Sequence, residues 1–410
     1  MTVLRFTTAG ESHGQALVAL VEGVPAGLPL LAADVNAELA RRQQGYGRGR
    51  RMQIERDSAE FLAGVRAGET TGAPVAMLVR NADWRNWEAI MDPAPRPEDA
   101  DGPRARAITR VRPGHADLVG LLKYDRADAR DILERASARE TTARVAAGAV
   151  CKRLLSEIGV RVGSHVVHLG GVDAAAPAAF PDDLNAAADA SPLRTLDPDA
   201  ERQMVERVDA AKAAGDTLGG VCEVVATGLP VGLGSHVSWD RKLDGRLAQA
   251  LMSIPAVKGV EIGLGFDAAR RPGSAVHDHI VGANGSSEGR TPTRASNRAG
   301  GLEGGITTGE PLVLRVAMKP IATLMRPLGT VDVRTGEAAS ASVERSDVTA
   351  VPAMGVIAEA MTAFVLAQAL LEKCGGDSLG EVRRNLDGFL AHARTRVPHG
   401  GSPTPATAAP

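Results

Sequence analysis

The chain has 410 residues, 44% of them hydrophobic, and its 47 lysines and arginines against 49 aspartates and glutamates give a net charge of -2 at pH 7. This composition is typical of a globular protein with a sizeable core. The acidic balance and the 3% aromatic content argue against a dedicated nucleic-acid-binding protein, which usually has a basic excess and aromatic side chains for base stacking.

Membrane and metal sites are not expected either. We find no apolar run of the roughly 18 residues that a bilayer span requires, and no signal-peptide pattern, so the sequence predicts a cytoplasmic protein without a membrane partner. Cys151, Cys222 and Cys374 are isolated from one another and show no metal-ligand spacing. We therefore predict no disulfide framework and no metal site, and interpret all three cysteines as small core residues.

Two histidines lie in short segments rich in turn-forming residues. A strand-like amino terminus leads into Gly-Glu-Ser-His-Gly at residues 10–14, and Arg-Pro-Gly-His-Ala-Asp follows at 112–117. Glycine and proline favour turns and leave room for a ligand to approach the backbone. Taken alone, either histidine could equally be an ordinary surface or core residue. Together they predict that His13 and His115 face one cavity.

An internal echo indicates a duplicated fold. Residues 18–28 resemble residues 223–233, since each segment is β-prone and apolar and ends in Gly-x-Pro-x-Gly-Leu. A helix-like stretch follows each, with apolar residues at i, i+4 spacing, starting at Val35 in the first and Leu243 in the second. The pattern predicts one α+β domain made of two pseudo-equivalent halves.

Residues 41–52 contain five arginines among three glycines. Because arginine matches phosphate and carboxylate with a planar fork, this run is interpreted as a site for a small polyanion. The alternatives are a solvated linker, a nucleic-acid patch, or the phosphate loop of an NAD(P)-dependent oxidoreductase. The last is disfavoured because neither Gly45–Gly49 nor Gly263–Gly265 shows the strand, helix and acidic residue of a dinucleotide fingerprint.

Two helices are predicted from the start and stop signals at their ends. Ser137 and Glu140 have the spacing of a capping box that opens a helix ending near Gly159. The amide groups of its first turn would favour an anion. A longer helix is predicted from Pro352 to the glycines at 375–376.

Together with further segments, these motifs resemble the chorismate synthase family over nearly the whole length of the chain. The matching blocks occur in one order at residues 10–14, 41–51, 112–124, 139–148, 216–220, 258–263, 297–305, 318–321 and 345–347. The resemblance implies an α+β fold, a sandwich of antiparallel sheets and helices with internal duplication. It also implies a single domain over residues 1–395 and a homotetramer. The tail over residues 396–410 falls outside the resemblance, and its composition predicts that it is disordered.

The implied activity is that of a carbon–oxygen lyase acting on phosphate. Family members remove phosphate from 5-enolpyruvylshikimate 3-phosphate by 1,4-anti elimination and form chorismate for aromatic amino acid biosynthesis. They require reduced FMN although no net oxidation occurs. Because the matching blocks leave no separate strand–glycine-rich–helix unit for a nicotinamide dinucleotide, we predict that an external flavin reductase supplies the reduced FMN and that NADPH acts only indirectly.

The resemblance also implies roles for particular residues. His13 and His115 match the acid–base pair, Asp347 matches a carboxylate that manages the proton at the flavin, and Arg42 and Arg48 match ligands for a substrate or NADPH phosphate. Arg112, Arg139 and Arg298 are further substrate candidates. Flavin contacts are implied for Arg135, Ala136, Ser137, Pro255, Ala256, Gly304, Lys319, Pro320, Ile321, Ala322, Thr323 and Arg345. Pro255 departs from the polar amide common in the family, so only backbone or apolar contact is expected there.

Overall fold

The computed structural model describes residues 4–49, 56–95, 106–281, 292–343 and 346–396. Arg345 and the predicted tail beyond residue 396 lie outside these ranges, as do the last arginines of the Arg-Gly run.

Strands and helices alternate along the chain. The first strands are β1 (Arg5–Ala9), β2 (Ala16–Glu22), β3 (Ala59–Ala63), β4 (Val65–Arg66), β5 (Glu69–Thr70) and β6 (Val75–Arg80). The later strands are β7 (Arg161–Leu169), β8 (Val172–Asp173), β9 (Gly220–Thr227), β10 (Val257–Ile262), β11 (Ile280–Val281), β12 (Thr293–Arg294), β13 (Leu302–Glu303), β14 (Ile306–Thr307), β15 (Leu312–Met318), β16 (Gly329–Val331) and β17 (Ala338–Ser340). The α-helices are α1 (Ala32–Gln43), α2 (Glu88–Met91), α3 (Asp117–Tyr124), α4 (Arg130–Ala136), α5 (Glu140–Ser156), α6 (Leu184–Asp189), α7 (Pro198–Ala214), α8 (Leu243–Met252), α9 (Val351–Cys374) and α10 (Leu379–Arg396).

Two antiparallel sheets enclose a double layer of helices. One sheet has the strand order β1-β2-β6-β3 and the other β10-β15-β9-β7-β8. Helices α1 and α5 pack on the first sheet and α8 and α9 on the second, while α5 and α9 pack on each other. Their backbones approach so closely that a Cβ on Gly148 would lie 2.3 Å from the Cβ of Ala360. The predicted α+β sandwich is confirmed.

The two halves repeat the same local geometry. Thr70 Oγ1 donates to the carbonyl oxygen of Pro25 at 2.6 Å and accepts from the N–H of Leu28 at 3.0 Å. In the second half the Thr307 hydroxyl makes the same two bonds, at 2.7 and 2.8 Å, with the equivalent proline and leucine at positions 230 and 233. This repetition confirms the internal duplication, since the two segments are the ones that echo each other in sequence.

The start of α5 differs from the prediction. The helix begins at Glu140, and Ser137 lies in the preceding turn, where its hydroxyl accepts from the N–H of Arg139 at 3.3 Å. Glu140 directs its carboxylate to Thr8 Oγ1 (2.9 Å) and to Arg144 Nε (2.9 Å). The predicted capping box is therefore wrong, because tertiary partners take the glutamate that would have completed it.

The longer helix has the predicted ends, since α9 runs from Val351 to Cys374 with Gly375 as its C-cap. Within the described residues it is the one helix long and apolar enough to cross a membrane, and 89% of its apolar window is buried inside the protein. The prediction that no stretch of the chain reaches this length was wrong, and the burial is typical of a core helix. Cys151 and Cys222 are buried as predicted, whereas Cys374 is only partly buried.

A buried ionic network joins the layers around Glu359 on α9, whose side chain is fully buried. Its carboxylate accepts from Arg41 Nη1 (2.8 Å) on α1, Lys152 Nζ (2.8 Å) on α5 and Arg194 Nη2 (3.0 Å). Burial alone would raise the pKa of Glu359, but the charges of Lys152, Arg41 and Arg194 hold it well below its ordinary value. Arg41 thus belongs to the core, and interpreting it as part of a polyanion site was wrong.

Candidate active site

A cleft of about 540 Å³ opens where the loops at the ends of the two halves meet. Its walls come from the β1–β2 loop, the segment after α1, the loops before α3 and α5, and the residues that follow α8 and β15. Gly10 enables the sharp β1–β2 connection, because its φ of +107° suits glycine and a Cβ there would lie 2.4 Å from the carbonyl oxygen of Ala16. The volume falls in the range of small-molecule sites.

His13 is held by Glu134 at the end of α4. Its Nδ1 lies 2.9 Å from Oε1 and 3.0 Å from Oε2 of the glutamate, and its backbone N–H donates to Oε2 at 2.8 Å. The ring also stacks on Trp87, with centroids 3.7 Å apart. Burial alone would raise the pKa of Glu134, but the hydrogen bonds with His13 and the charge of Arg130 hold it below its ordinary value. The carboxylate is therefore an anion at neutral pH.

His115 has a parallel arrangement. Its Nδ1 lies 2.5 Å from Oδ1 of Asp117, the first residue of α3, and Arg112 Nε donates to the same carboxylate at 2.9 Å. Although burial would raise the pKa of Asp117, the hydrogen bonds from His115 and Arg112 and their charges hold it well below its ordinary value. In both histidines a carboxylate engages Nδ1, so the neutral ring carries its proton there and Nε2 is the basic nitrogen.

Asp347 and Arg48 form one wall of the cleft. The N–H of Gly49 donates to Asp347 Oδ1 at 2.6 Å, and Arg48 Nε lies 3.2 Å from Oδ2. The Arg48 side chain is only 10% exposed, and this Nε lacks the alignment of a hydrogen bond. Arg48 lines the cleft, and a guanidinium in that position suits an anionic ligand.

Two further arginines are fixed by Asp57, whose side chain is 2% exposed. Arg139 Nη2 donates to Asp57 Oδ1 at 3.0 Å, and Arg42 Nη1 lies 3.8 Å from Oδ2. Arg42 also donates from Nε to Thr141 Oγ1 at 3.0 Å and from Nη2 to the carbonyl oxygen of Ala138 at 2.9 Å. Arg42 therefore orders the turn before α5 as well as lining the cleft.

The opposite wall combines apolar side chains with lysines. Ala256 has a φ of +68°, an unfavourable conformation for a residue with a Cβ, and its carbonyl oxygen accepts from the N–H of Lys319 at 2.9 Å. Lys319 Nζ donates to the carbonyl oxygen of Gly114 at 2.5 Å and so ties this wall to the loop of His115. Strained backbone held by its surroundings is common at ligand sites.

The cleft brings together most of the residues predicted from the sequence: His13, His115, Asp347, Arg42, Arg48, Ala136, Ser137, Pro255, Ala256, Lys319, Ile321, Ala322 and Thr323. Arg112 and Arg139 line it too. Arg135 bonds instead to the carbonyl oxygens of Gly10 and Thr8 and lines a neighbouring cavity. Gly304 lies in the turn between β13 and β14 beside His236, and Pro320 and Arg298 do not line the cleft.

Sequence reasoning missed several residues of the site. Glu134 and Trp87 contact His13, Asp57 holds two arginines, and Lys258 lines the cleft. Glu134 is 121 residues from His13 in the chain, so no local spacing links the two. Lys258 lies in a matching block, and its basic side chain was the available signal.

The geometry does not favour the two alternative functions. The Gly45–Gly49 loop follows helix α1, and β10, which precedes Gly263, belongs to an antiparallel sheet. A dinucleotide fold needs a glycine-rich turn between a parallel strand and a helix. The arginines are gathered in a concave cleft, whereas a nucleic-acid surface spreads its positive charge along a face.

Comparisons with known proteins identify the family. The family profile described as chorismate synthase matches residues 4–371. The chorismate synthase of Pelobacter propionicus is 56% identical over 396 residues, 96% of this chain and 100% of that protein, and the one of Thermus thermophilus is 58% identical over 391 residues, 95% and 100%. A crystal structure of chorismate synthase superposes with a TM-score of 0.76 at 45% identity and covers 96% of this chain and 99% of that chain. The chain therefore belongs to the chorismate synthase family.

Proposed function

We propose that this cleft eliminates phosphate from 5-enolpyruvylshikimate 3-phosphate to form chorismate, with reduced FMN as the cofactor. One observation carries the proposal: six cationic side chains line the cleft of a chain whose net charge is -2. They are Arg42, Arg48, Arg112, Arg139, Lys258 and Lys319. A substrate with one phosphate and two carboxylates, beside a flavin phosphate, matches such a concentration of positive charge.

The opposite wall fits a flavin. Met252, Ile254, Val257, Met318 and Ile321 supply apolar surface suited to a planar ring, and lysines lie at its edge. Ala136, Ser137, Pro255, Ala256 and the segment 319–323 are the residues that would hold the cofactor. Pro255 can add only apolar or backbone contact. When bound, reduced FMN supplies the electron density that assists cleavage of the carbon–oxygen bond.

The chain's own residues bind the anions and move protons. Arginines orient the phosphate and carboxylates, and Nε2 of His13 and of His115 is the atom that exchanges a proton, since a carboxylate engages each Nδ1. Asp347, whose Oδ1 accepts from the N–H of Gly49, would manage the proton at the flavin. A bound substrate and flavin would displace water from the cleft and so strengthen these charge interactions.

Arg48→Lys is expected to raise the substrate KM by about tenfold or more, because a point charge cannot reproduce a bidentate fork on phosphate or carboxylate. The substitution keeps the charge beside Asp347, so thermal stability should change little. The measurement is the substrate KM at saturating reduced FMN. Arg202→Lys, at an exposed surface position, is the matched control and should be silent. An unchanged KM in the Arg48 variant would show that Arg48 does not bind the substrate.

The remaining features are proposed from the resemblance. We propose a cytoplasmic homotetramer that receives reduced FMN from an external flavin reductase, with NADPH acting only indirectly. No strand–glycine-rich loop–helix unit of the dinucleotide kind occurs in the described ranges, which supports the external reductant. Arg42 and Arg48 are then substrate ligands, not NADPH ligands.

An anaerobic assay with two arms tests the proposal. With chemically reduced FMN and 5-enolpyruvylshikimate 3-phosphate, chorismate and phosphate should be released in equal amounts. With oxidised FMN and NADPH but no reductase, sustained turnover should be absent. Phosphate without chorismate in the first arm would contradict the elimination. Full turnover in the second would reassign the two arginines to NADPH.

A further inference from the structure

His13 lies between side chains to which neither the sequence nor the proposed function gives a role. One face of the imidazole stacks on Trp87, with centroids 3.7 Å apart and an interplanar angle of 25°. The edge carrying Nδ1 meets both oxygens of Glu134 at 2.9 and 3.0 Å. Arg130, one turn before Glu134 on α4, has its guanidinium carbon 5.4 Å from the Trp87 ring centroid and an Nη1 3.3 Å from Glu134 Oε1.

We propose that Trp87 and Glu134, braced by Arg130, are positioning residues that hold the His13 ring in one orientation and stabilise its charged form. The catalytic consequence of this inference rests on the proposed proton-transfer role of His13. The inference about its orientation and charge rests on the contacts alone.

The orientation is fixed at two points. The Glu134 carboxylate contacts Nδ1 of the ring and accepts from the backbone N–H of His13 at 2.8 Å. The backbone carbonyl oxygen of Glu134 accepts from the N–H of Ser12 at 2.9 Å. These bonds join the loop of His13 to the end of α4. A ring bonded along one edge and stacked on one face has a single favourable rotamer, which directs Nε2 away from α4.

One carboxylate contacts the ring directly. Glu134 meets Nδ1, and Arg130 in turn contacts Glu134 and Trp87. Asp83 accepts from the Trp87 indole N–H at 2.9 Å, and the Glu11 carboxylate lies beside Gly14 on the histidine's own loop. The cleft that His13 lines also contains Arg42, Arg48, Arg112 and Arg139. Because interaction energy falls with distance, the carboxylate at Nδ1 and the indole face are the groups through which we expect a positive charge on the ring to be stabilised.

Fluorescence of Trp87 gives a test that does not depend on activity. The chain has three tryptophans, and the double variant Trp84→Phe/Trp239→Phe leaves Trp87 as the only reporter. An imidazolium in van der Waals contact quenches indole fluorescence more strongly than a neutral imidazole. We expect emission to rise with pH as His13 loses its proton. Adding Glu134→Gln should move the midpoint to lower pH, as expected for losing a charge-assisted hydrogen bond.

Three controls keep the test decisive. His13→Gln should abolish the transition, Glu134→Asp should restore most of the midpoint because it keeps the charge, and Glu88→Gln should leave it unchanged, since Glu88 is exposed in the same segment. A transition that persists without His13, or a midpoint unmoved by Glu134→Gln in a protein with native circular dichroism, would overturn the proposal. If Glu134→Gln does not fold, Glu134→Ala decides, and an unmoved midpoint there would also overturn the proposal.

A kinetic comparison then links the positioning to catalysis. In the elimination assay, Glu134→Gln should lower kcat by about 10- to 100-fold with little change in KM, as for other residues that orient a reacting group. The high-pH limb of the activity profile should move in the same direction as the fluorescence midpoint. Normal fluorescence behaviour with no elimination activity in the parent protein would contradict the proposed function and leave the positioning inference standing.

Discussion

His13→Ala and His115→Ala are each expected to lower turnover by about two to four orders of magnitude, the range typical of losing a general acid or base. Each ring lies at the cleft with Nδ1 engaged by a carboxylate, so its removal deletes the proton exchanged at Nε2. Neither ring belongs to the hydrophobic core. The protein should therefore still fold and bind FMN. The measurement is kcat with chemically reduced FMN at saturating substrate.

His168→Ala is the matched control for these variants. His168 pairs with Asp173 at the edge of the second sheet, away from the cleft, and its side chain is 34% exposed. Its replacement should leave turnover within about twofold of the parent, as expected of a surface change. If either cleft variant retained near-normal turnover while this control did the same, that histidine would have no proton-transfer role.

Glu359→Gln is expected to lower the free energy of unfolding by about 3–5 kcal/mol, the typical cost of breaking a buried ion pair from one side. The amide can still accept a hydrogen bond, but Arg41, Lys152 and Arg194 lose the fully buried anion that they share and keep only the partly exposed carboxylates of Glu38 and Asp189. The measurement is the denaturant midpoint and slope, together with thermal unfolding.

Glu372→Gln on the same helix is the control. Glu372 pairs with Arg246 but its side chain is 50% exposed, so its loss should cost no more than about 1 kcal/mol. Because the folded-state pKa of Glu359 is lowered, its contribution should be fully present above its ordinary pKa of 4.5 and should decline as pH falls toward the folded-state value. Equal effects of the two variants at neutral pH would show that the buried network does not stabilise the fold.

The fold could be predicted from the sequence where a pattern is local or repeated. The echo between residues 18–28 and 223–233 corresponds to the same threonine–proline–leucine bonding in both halves. Apolar spacing located α9 to within a residue at its start, because buried faces and a terminal glycine are encoded within the helix itself.

The sequence did not predict side-chain contacts that depend on a partner far away in the chain. Arg41 and Arg42 are adjacent in one basic run, yet the helix directs Arg41 to Glu359, 318 residues away, and Arg42 to the cleft. Glu140 has capping-box spacing but bonds to Thr8, 132 residues away. Glu134 and Trp87 carried no motif at all. A side chain's polarity can be read from the sequence, whereas its partner depends on which elements the fold brings together.

We propose that substrate and flavin bind together in the cleft between His13 and His115. A crystal structure of the protein with oxidised FMN and 5-enolpyruvylshikimate 3-phosphate tests it most directly. We predict that the flavin ring lies against the wall formed by residues 252–257 and 318–323. An anionic group of the substrate should lie within hydrogen-bond distance of Arg48, and Nε2 of each histidine should face a ligand. If the ligands bind instead in the neighbouring cavity lined by Lys123, Arg126 and Arg135, with both histidines remote from them, the active site does not lie in this cleft.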